Sequence, residues 1–219
     1  MKKRTLFLLS ILTVLILFNP CVYGVKYQDT RGHWAENYID ELSDSGFITG
    51  YEENRFNPDN LISKAEFFSI INSMANLKKT YTVTFTDVNS SDWFYNDISK
   101  ALKAGYIVPT TGKLNPNKSI SRSEVMYILG YMYKLKPEVE YAKKFKDTKS
   151  LNYETLGYVG ALVKLSFLDG NQDYLRVNDG ISRAEICKLI CLLMDEFGLP
   201  GERTVPDSKI RFGDRNLYD

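Results

Sequence analysis

Four letters recur three times in this 219-residue chain: Ser63-Lys64-Ala65-Glu66, Ser121-Arg122-Ser123-Glu124 and Ser182-Arg183-Ala184-Glu185. Ser and Glu three apart ahead of an apolar run are the signature of a capping box, in which each side chain satisfies a backbone N–H of the other at a helix start. The chain must therefore build the same helix start three times. Around each tetrapeptide a longer pattern repeats in the same order. An aromatic-x-Asp element comes first, at Tyr27-Gln28-Asp29, Phe85-Thr86-Asp87 and Phe145-Lys146-Asp147, with Asp-to-Ser distances of 34, 34 and 35 residues. Such spacing marks a duplicated unit and a repeat architecture.

Within each unit the pattern predicts two helices. The first begins near Trp34, Trp93 or Tyr153 and stops at Gly46 and Gly105, which suit a left-handed C-cap; Ser166 stands there in the third unit. A short apolar pair follows (Phe47-Ile48, Tyr106-Ile107, Phe167-Leu168), then a polar turn and an apolar residue seven places before the motif Ser: Phe56, Leu114 or Leu175. Asn57-Pro58 and Asn115-Pro116 halt regular structure there. From the motif Glu onward, apolar residues at +1, +2, +4, +5 and +8 run through Phe67 to Met74, Val125 to Met132 and Ile186 to Leu193. An arc that wide predicts a buried helix, so three such helices are expected to bury one another centrally with the first helices outside.

Residues 1–24 read as a secretory signal peptide: Lys2, Lys3 and Arg4 precede a 13-residue stretch of apolar or small polar residues, Leu6 to Phe18, and Val22-Tyr23-Gly24 offers a cleavage site. Cys21 raises lipid attachment as a rival, against which stand Asn19 and Pro20 where small residues are wanted. Setting aside Lys2, Lys3 and Arg4 takes the 28 basic residues to 25 against 27 acidic ones, a formal charge of −2. That balance gives no phosphate-backbone footprint and argues against nucleic acid as partner. The basic run Lys143, Lys144, Lys146 and Lys149 reads as a solvated linker. Cys187 and Cys191, four apart on a helix, read as buried free thiols rather than a disulfide or metal pair.

No catalytic set emerges. His33 is the one histidine, and the stretch Asp169, Asn171, Asp173 has Tyr174 where a calcium loop needs Gly. Neither an enzyme, a metal site nor a cofactor is expected.

The motif cations are what helix formation leaves unexplained, because Lys64, Arg122 and Arg183 lie in a first turn that is already electropositive. Two readings stand. Each cation pairs weakly with a nearby Asp of the aromatic-x-Asp element. Alternatively, each joins open N–H groups at the helix start in an anion site, with Trp34 or Trp93 adding an aromatic face.

The ordered set, including Gly46-Phe47-Ile48-Thr49-Gly50 and the three tetrapeptides, resembles the S-layer homology repeat over residues 27 to 198. The boundaries follow as repeats at 25–79, 80–138 and 139–198, with an irregular tail at 199–219. The resemblance implies a mainly α fold: three helix-loop-helix repeats in a pseudo-threefold spindle around a central three-helix bundle. It further implies attachment to the bacterial cell wall through a secondary cell-wall polysaccharide, often bearing a pyruvylated amino sugar, in grooves between repeats. Lys64, Arg122 and Arg183 would hold the acidic ketal. Asp29, Asp87, Asp147, Trp34 and Trp93 would line the grooves, and Gly46 and Gly105 would let the sugar approach. The third unit departs through Tyr153, Ser166 and Val177, so Arg183 ranks below the cations of the first two units. A secreted, wall-bound location follows, with no membrane attachment after cleavage. The alternative is a surface protein-interaction or S-layer assembly factor that binds no glycan.

Overall fold

In a computed structural model, residues 27–210 are described; the segment read as a signal peptide, 1–24, and the end of the tail lie outside them. The fold is mainly helical. Its helices are α1 (Glu36–Asp44), α2 (Lys64–Met74), α3 (Tyr95–Ala104), α4 (Arg122–Met132), α5 (Val139–Ala142), α6 (Tyr153–Lys164) and α7 (Arg183–Phe197). Each of α2, α4 and α7 opens on a complete capping box. The Ser side chain accepts from the N–H of the Glu three residues on, and that Glu accepts from the Ser N–H. All fifteen apolar positions read from the motif Glu are buried. They belong to one continuous core.

The units are not self-contained. Apart from the α5–α6 contact inside the third unit, the main helix pairings join each motif helix to the first helix of the following unit: α2 to α3, α4 to α6, and α7 back to α1. The starts of the motif helices meet in a closed ring of backbone bonds. Ile62 N–H donates to Ile181 O at 3.1 Å, Ile181 N–H to Ile120 O at 3.3 Å, and Ile120 N–H to Ile62 O at 3.0 Å. All three isoleucines are buried.

The same cyclic order satisfies the helix starts. Lys64 and Ala65 donate to Lys118 O and Pro116 O, Arg122 and Ser123 to Asp179 O and Val177 O, and Arg183 and Ala184 to Asn60 O and Pro58 O, all at 2.9 to 3.0 Å. With the third N–H bound by the capping Ser, the first three donors of each motif helix are occupied. The expectation of open N–H groups for an anion is thereby corrected: the next unit's loop uses them, because orphan donors of a buried helix end need partners.

The aromatic-x-Asp element is a clip for that loop. Asp29 accepts from Phe56 N–H (2.8 Å) and Asn57 N–H (2.7 Å), Asp87 from Leu114 (2.9 Å) and Asn115 (2.8 Å), and Asp147 from Leu175 (3.1 Å) and Val177 (3.0 Å). Asn57 and Asn115 take left-handed φ values of 54°, a region Asn tolerates; Arg176 is forced to 58° in the third unit. Burial raises the Asp29 carboxyl, but the two N–H donors outweigh it and hold the group below its usual value.

Two smaller readings also change. The basic run after residue 139 is exposed at its lysines, yet it contains α5 and a 3-10 turn, Lys146–Ser150, with Ala142 and Thr148 buried. The tail carries a 3-10 turn at Asp207–Lys209.

Candidate functional site

The motif cations do not pair with the Asp of the aromatic-x-Asp element. Lys64 Nζ lies 2.5 Å from Glu124 Oε1, Arg122 Nη1 2.6 Å from Glu185 Oε1, and Arg183 Nη1 3.8 Å from Glu66 Oε1. Each cation therefore reaches the capping-box Glu of the following unit, not the Asp of its own. One carboxylate oxygen serves the cap and the other serves the neighbour's cation. A carboxylate suits both tasks because it accepts at two oxygens.

The three pairs differ in closeness. Arg183 is the most buried, its side chain 3% exposed. Its Nε donates to Phe56 O at 3.0 Å and its Nη2 to Thr49 O at 2.7 Å. Its guanidinium lies 4.6 Å from the Tyr51 ring centre and 4.3 Å from that of Phe56. Tyr51 donates its hydroxyl to Glu66 Oε1 at 2.6 Å, taking the place that a closer arginine holds elsewhere. Burial raises the Glu66 carboxyl, but bonds from Ser63 and Tyr51 and the charge of Arg183 bring it below its usual value.

Two grooves contain these groups. The first, of about 420 Å³, runs along the 46–51 loop and is lined by Gly46, Thr49, Tyr51, Glu66, Trp93 and Arg183, with Ser69 and Ser73 on its α2 wall. All three units contribute: loop and helix from the first, Trp93 from the second, Arg183 from the third. The other, of about 300 Å³, has the same plan one step around the ring. Trp34 comes from the first unit, Arg122 from the second, and Phe167, Leu168, Asp169, Glu185 and Lys188 from the third. Trp93 and Trp34 are 63% and 56% exposed, so they stand at the surface rather than in the core.

The ranking of units therefore changes. Arg183 shares a groove with Trp93 and Gly46, and Arg122 shares one with Trp34. Following the same cyclic order, Lys64 falls with Gly105 and Tyr153, the latter 77% exposed. Departures confined to the third unit's sequence are thus spread over grooves built from all units. Ser166 still takes the left-handed conformation of the glycine it replaces, φ 61°.

Gly46 and Gly105 behave differently. Both have positive φ, 73° and 84°, as their positions after α1 and α3 require. A Cβ at Gly46 would meet nothing within 4 Å, whereas one at Gly105 would lie 2.4 Å from Val205 Cγ2 and 2.8 Å from Tyr131 Oη. The second glycine of the first loop has a separate cause. Gly50 lies under the Tyr27 ring, and a Cβ there would come within 2.2 Å of it.

The remaining candidates are structural. His33 Nδ1 accepts from Ala35 N–H at 3.1 Å at the start of α1, and its Nε2 lies 3.3 Å from Asp59. Asp169 and Asp173 face Lys188 and Lys146, and no cluster placed to hold a metal occurs among the described residues. Cys187 and Cys191 are buried and unbridged, and burial pushes the Cys187 thiol up to about 12. No helix among the described residues is long and apolar enough to cross a membrane.

Sequence comparison matches the family model of the S-layer homology domain at residues 26–68, 84–126 and 144–187. Among curated proteins, the chain is 30% identical over 182 residues to an amylopullulanase of Thermoanaerobacterium thermosulfurigenes, covering 80% of this chain and 10% of that protein. It is 30% identical over 179 residues to the exoglucanase XynX of Acetivibrio thermocellus, covering 79% and 16%. It is 28% identical over 170 residues to the S-layer protein sap of Bacillus anthracis, covering 76% and 21%. The chain thus spans a tenth to about a fifth of the length of these relatives.

Proposed function

The chain belongs to the S-layer homology family, and from that membership we propose that it is a non-catalytic anchor, holding an acidic cell-wall polysaccharide non-covalently at the cell surface. The observation that carries the proposal is the twice-built groove, in which an exposed tryptophan faces an arginine that backbone carbonyls fix in place. A saccharide with a carboxylate-bearing substituent, such as a pyruvylated amino sugar, matches both parts. The sugar face would lie on Trp93 or Trp34, and the carboxylate would share the guanidinium of Arg183 or Arg122 with the neighbouring Glu. A fixed arginine loses little conformational freedom on binding a planar anion. Gly46, without a Cβ in the groove, leaves room for the ring.

Enzyme-named relatives fit this reading as long proteins in which the matched segment is a small share. Surface-layer relatives fit it as proteins whose names place them at the cell surface.

The direct test is co-sedimentation of the protein with purified wall. Replacing all three motif cations together would also dismantle the ring of ion pairs, so loss of binding there would not separate ligand from fold. The exposed tryptophans do separate them. The double variant Trp34→Ala/Trp93→Ala is expected to keep the wild-type unfolding midpoint and lose wall binding by about tenfold or more, on the order of 1.4 kcal/mol. Unchanged sedimentation of that variant would remove the saccharide reading.

A further inference from the structure

The groove that falls to Lys64 is built differently from the other two. At the positions of Ser69 and Ser73, three and seven residues after the motif Glu, α4 carries Tyr127 and Tyr131. Tyr127 is buried and stacks on Tyr131 at 6.0 Å between ring centres and an angle of 25°; Tyr131 Oη donates to Ala104 O at 3.2 Å. Two rings thus fill space that two hydroxymethyl groups leave open in the first groove.

Over this filled groove lies the segment after residue 202. Arg203 sits above Tyr131, its guanidinium carbon 3.5 Å from the ring centre, and donates to Tyr131 O. Val205 N–H donates to Lys103 O at 2.9 Å, and its side chain closes on Gly105. Asp207 pairs with Lys103 and opens the 3-10 turn that ends the contact. Pro206 between them is extended, φ −56° and ψ 139°. The contacts are those of a bound peptide: a cation on an aromatic face, a main-chain bond, an apolar side chain over a glycine, and a side-chain carboxylate on a lysine.

We propose that this Lys64 groove, built on the loop and motif helix of the second unit, is a peptide-binding site, whose ligand is an extended Arg-x-Val-Pro-Asp segment supplied by this chain's own residues 203–207. It leaves the two tryptophan grooves open to other ligands. Gly105 is explained as well: its missing Cβ makes room for Val205.

The test uses the full chain. Amide exchange at Val205 is expected to be slowed at least 100-fold relative to an unstructured amide, and Arg203→Ala/Val205→Asp is expected to abolish that protection. A labelled nonapeptide of residues 201–209 should then bind the Arg203→Ala/Val205→Asp protein saturably and at least tenfold better than a scrambled peptide. Adding Gly105→Ala should abolish that binding, and Lys103→Ala, which leaves the glycine conformation untouched, should weaken it several-fold. Unprotected exchange at Val205 in the wild-type chain, or equal binding of ordered and scrambled peptides, would overturn the proposal. Neither readout involves wall material. Loss of the saccharide reading leaves this one standing, and the reverse also holds.

Discussion

The first groove and the Lys64 groove of the second unit start from the same sequence plan and end in opposite states. In the first, small Ser69 and Ser73, an uncovered Gly46 and an exposed Trp93 surround a deeply set Arg183. In the second, Tyr127 and Tyr131 take the serine positions, Val205 covers Gly105, and the cation is a lysine tied at 2.5 Å to Glu124. What differs is not the capping machinery, which is intact in both, but the residues one and two turns along the motif helix. A repeat can thus keep its fold signature and change its surface through positions the signature does not include.

The largest effect that would sharpen this contrast is on stability. Arg183→Ala removes the donors to Phe56 O and Thr49 O as well as the partner of Glu66. Leaving such groups unpaired costs about 1–3 kcal/mol each, so a loss of about 3 kcal/mol or more is expected in urea unfolding. Lys64→Ala forfeits the ion pair with Glu124 on a partly exposed side chain and is expected to cost about 1 kcal/mol. Equal losses would mean that the two cations do the same work.

A smaller effect separates the glycines. Gly46→Ala carries only the left-handed backbone penalty, about 1 kcal/mol, because its Cβ points into open space. Gly105→Ala adds displacement of Val205, and the extra loss should vanish when Val205→Asp has already released the segment. That double-mutant cycle reads the contact directly.

The smallest effect is in acid. Asp29 and Glu66 both titrate below their usual values of 3.8 and 4.5 in the folded chain. The unfolded chain then binds more protons, so stability is complete above those values and falls as pH drops through the folded ones. Asp29→Asn is expected to flatten the decline below about pH 4.5. A slope that stays unchanged would assign the acid sensitivity to other groups.

Much of this was legible in the sequence because it is local. Ser63 and Glu66 are three residues apart, and their geometry follows from helix pitch alone; the same is true of the buried apolar arc and the positive φ after α1 and α3. What escaped lies between units. Arg122 and Glu185 are 63 residues apart, and Arg183 bonds to a carbonyl 127 residues earlier. Identical units cannot say whether residue n meets its own copy or the next one. One signal was available, since Ser69, Tyr127 and Lys188 occupy the same step of the three motif helices and have nothing in common chemically. Val205 gave none, because an apolar residue in a polar tail has no periodicity to betray its target.

The ring of Ile62, Ile120 and Ile181 also fixes an order of events. Its last member, Ile181, belongs to the third unit, and the first unit's loop is held by Arg183. During synthesis, the first helix pair emerges without the arginine, the α7 wall or the strand-like contact that complete it. Contacts this distant in sequence slow folding, and the first unit's groove is completed only once the third unit has docked. A chain cut short before residue 181 is then expected to be incomplete in its first groove, although every residue of the first unit would be present.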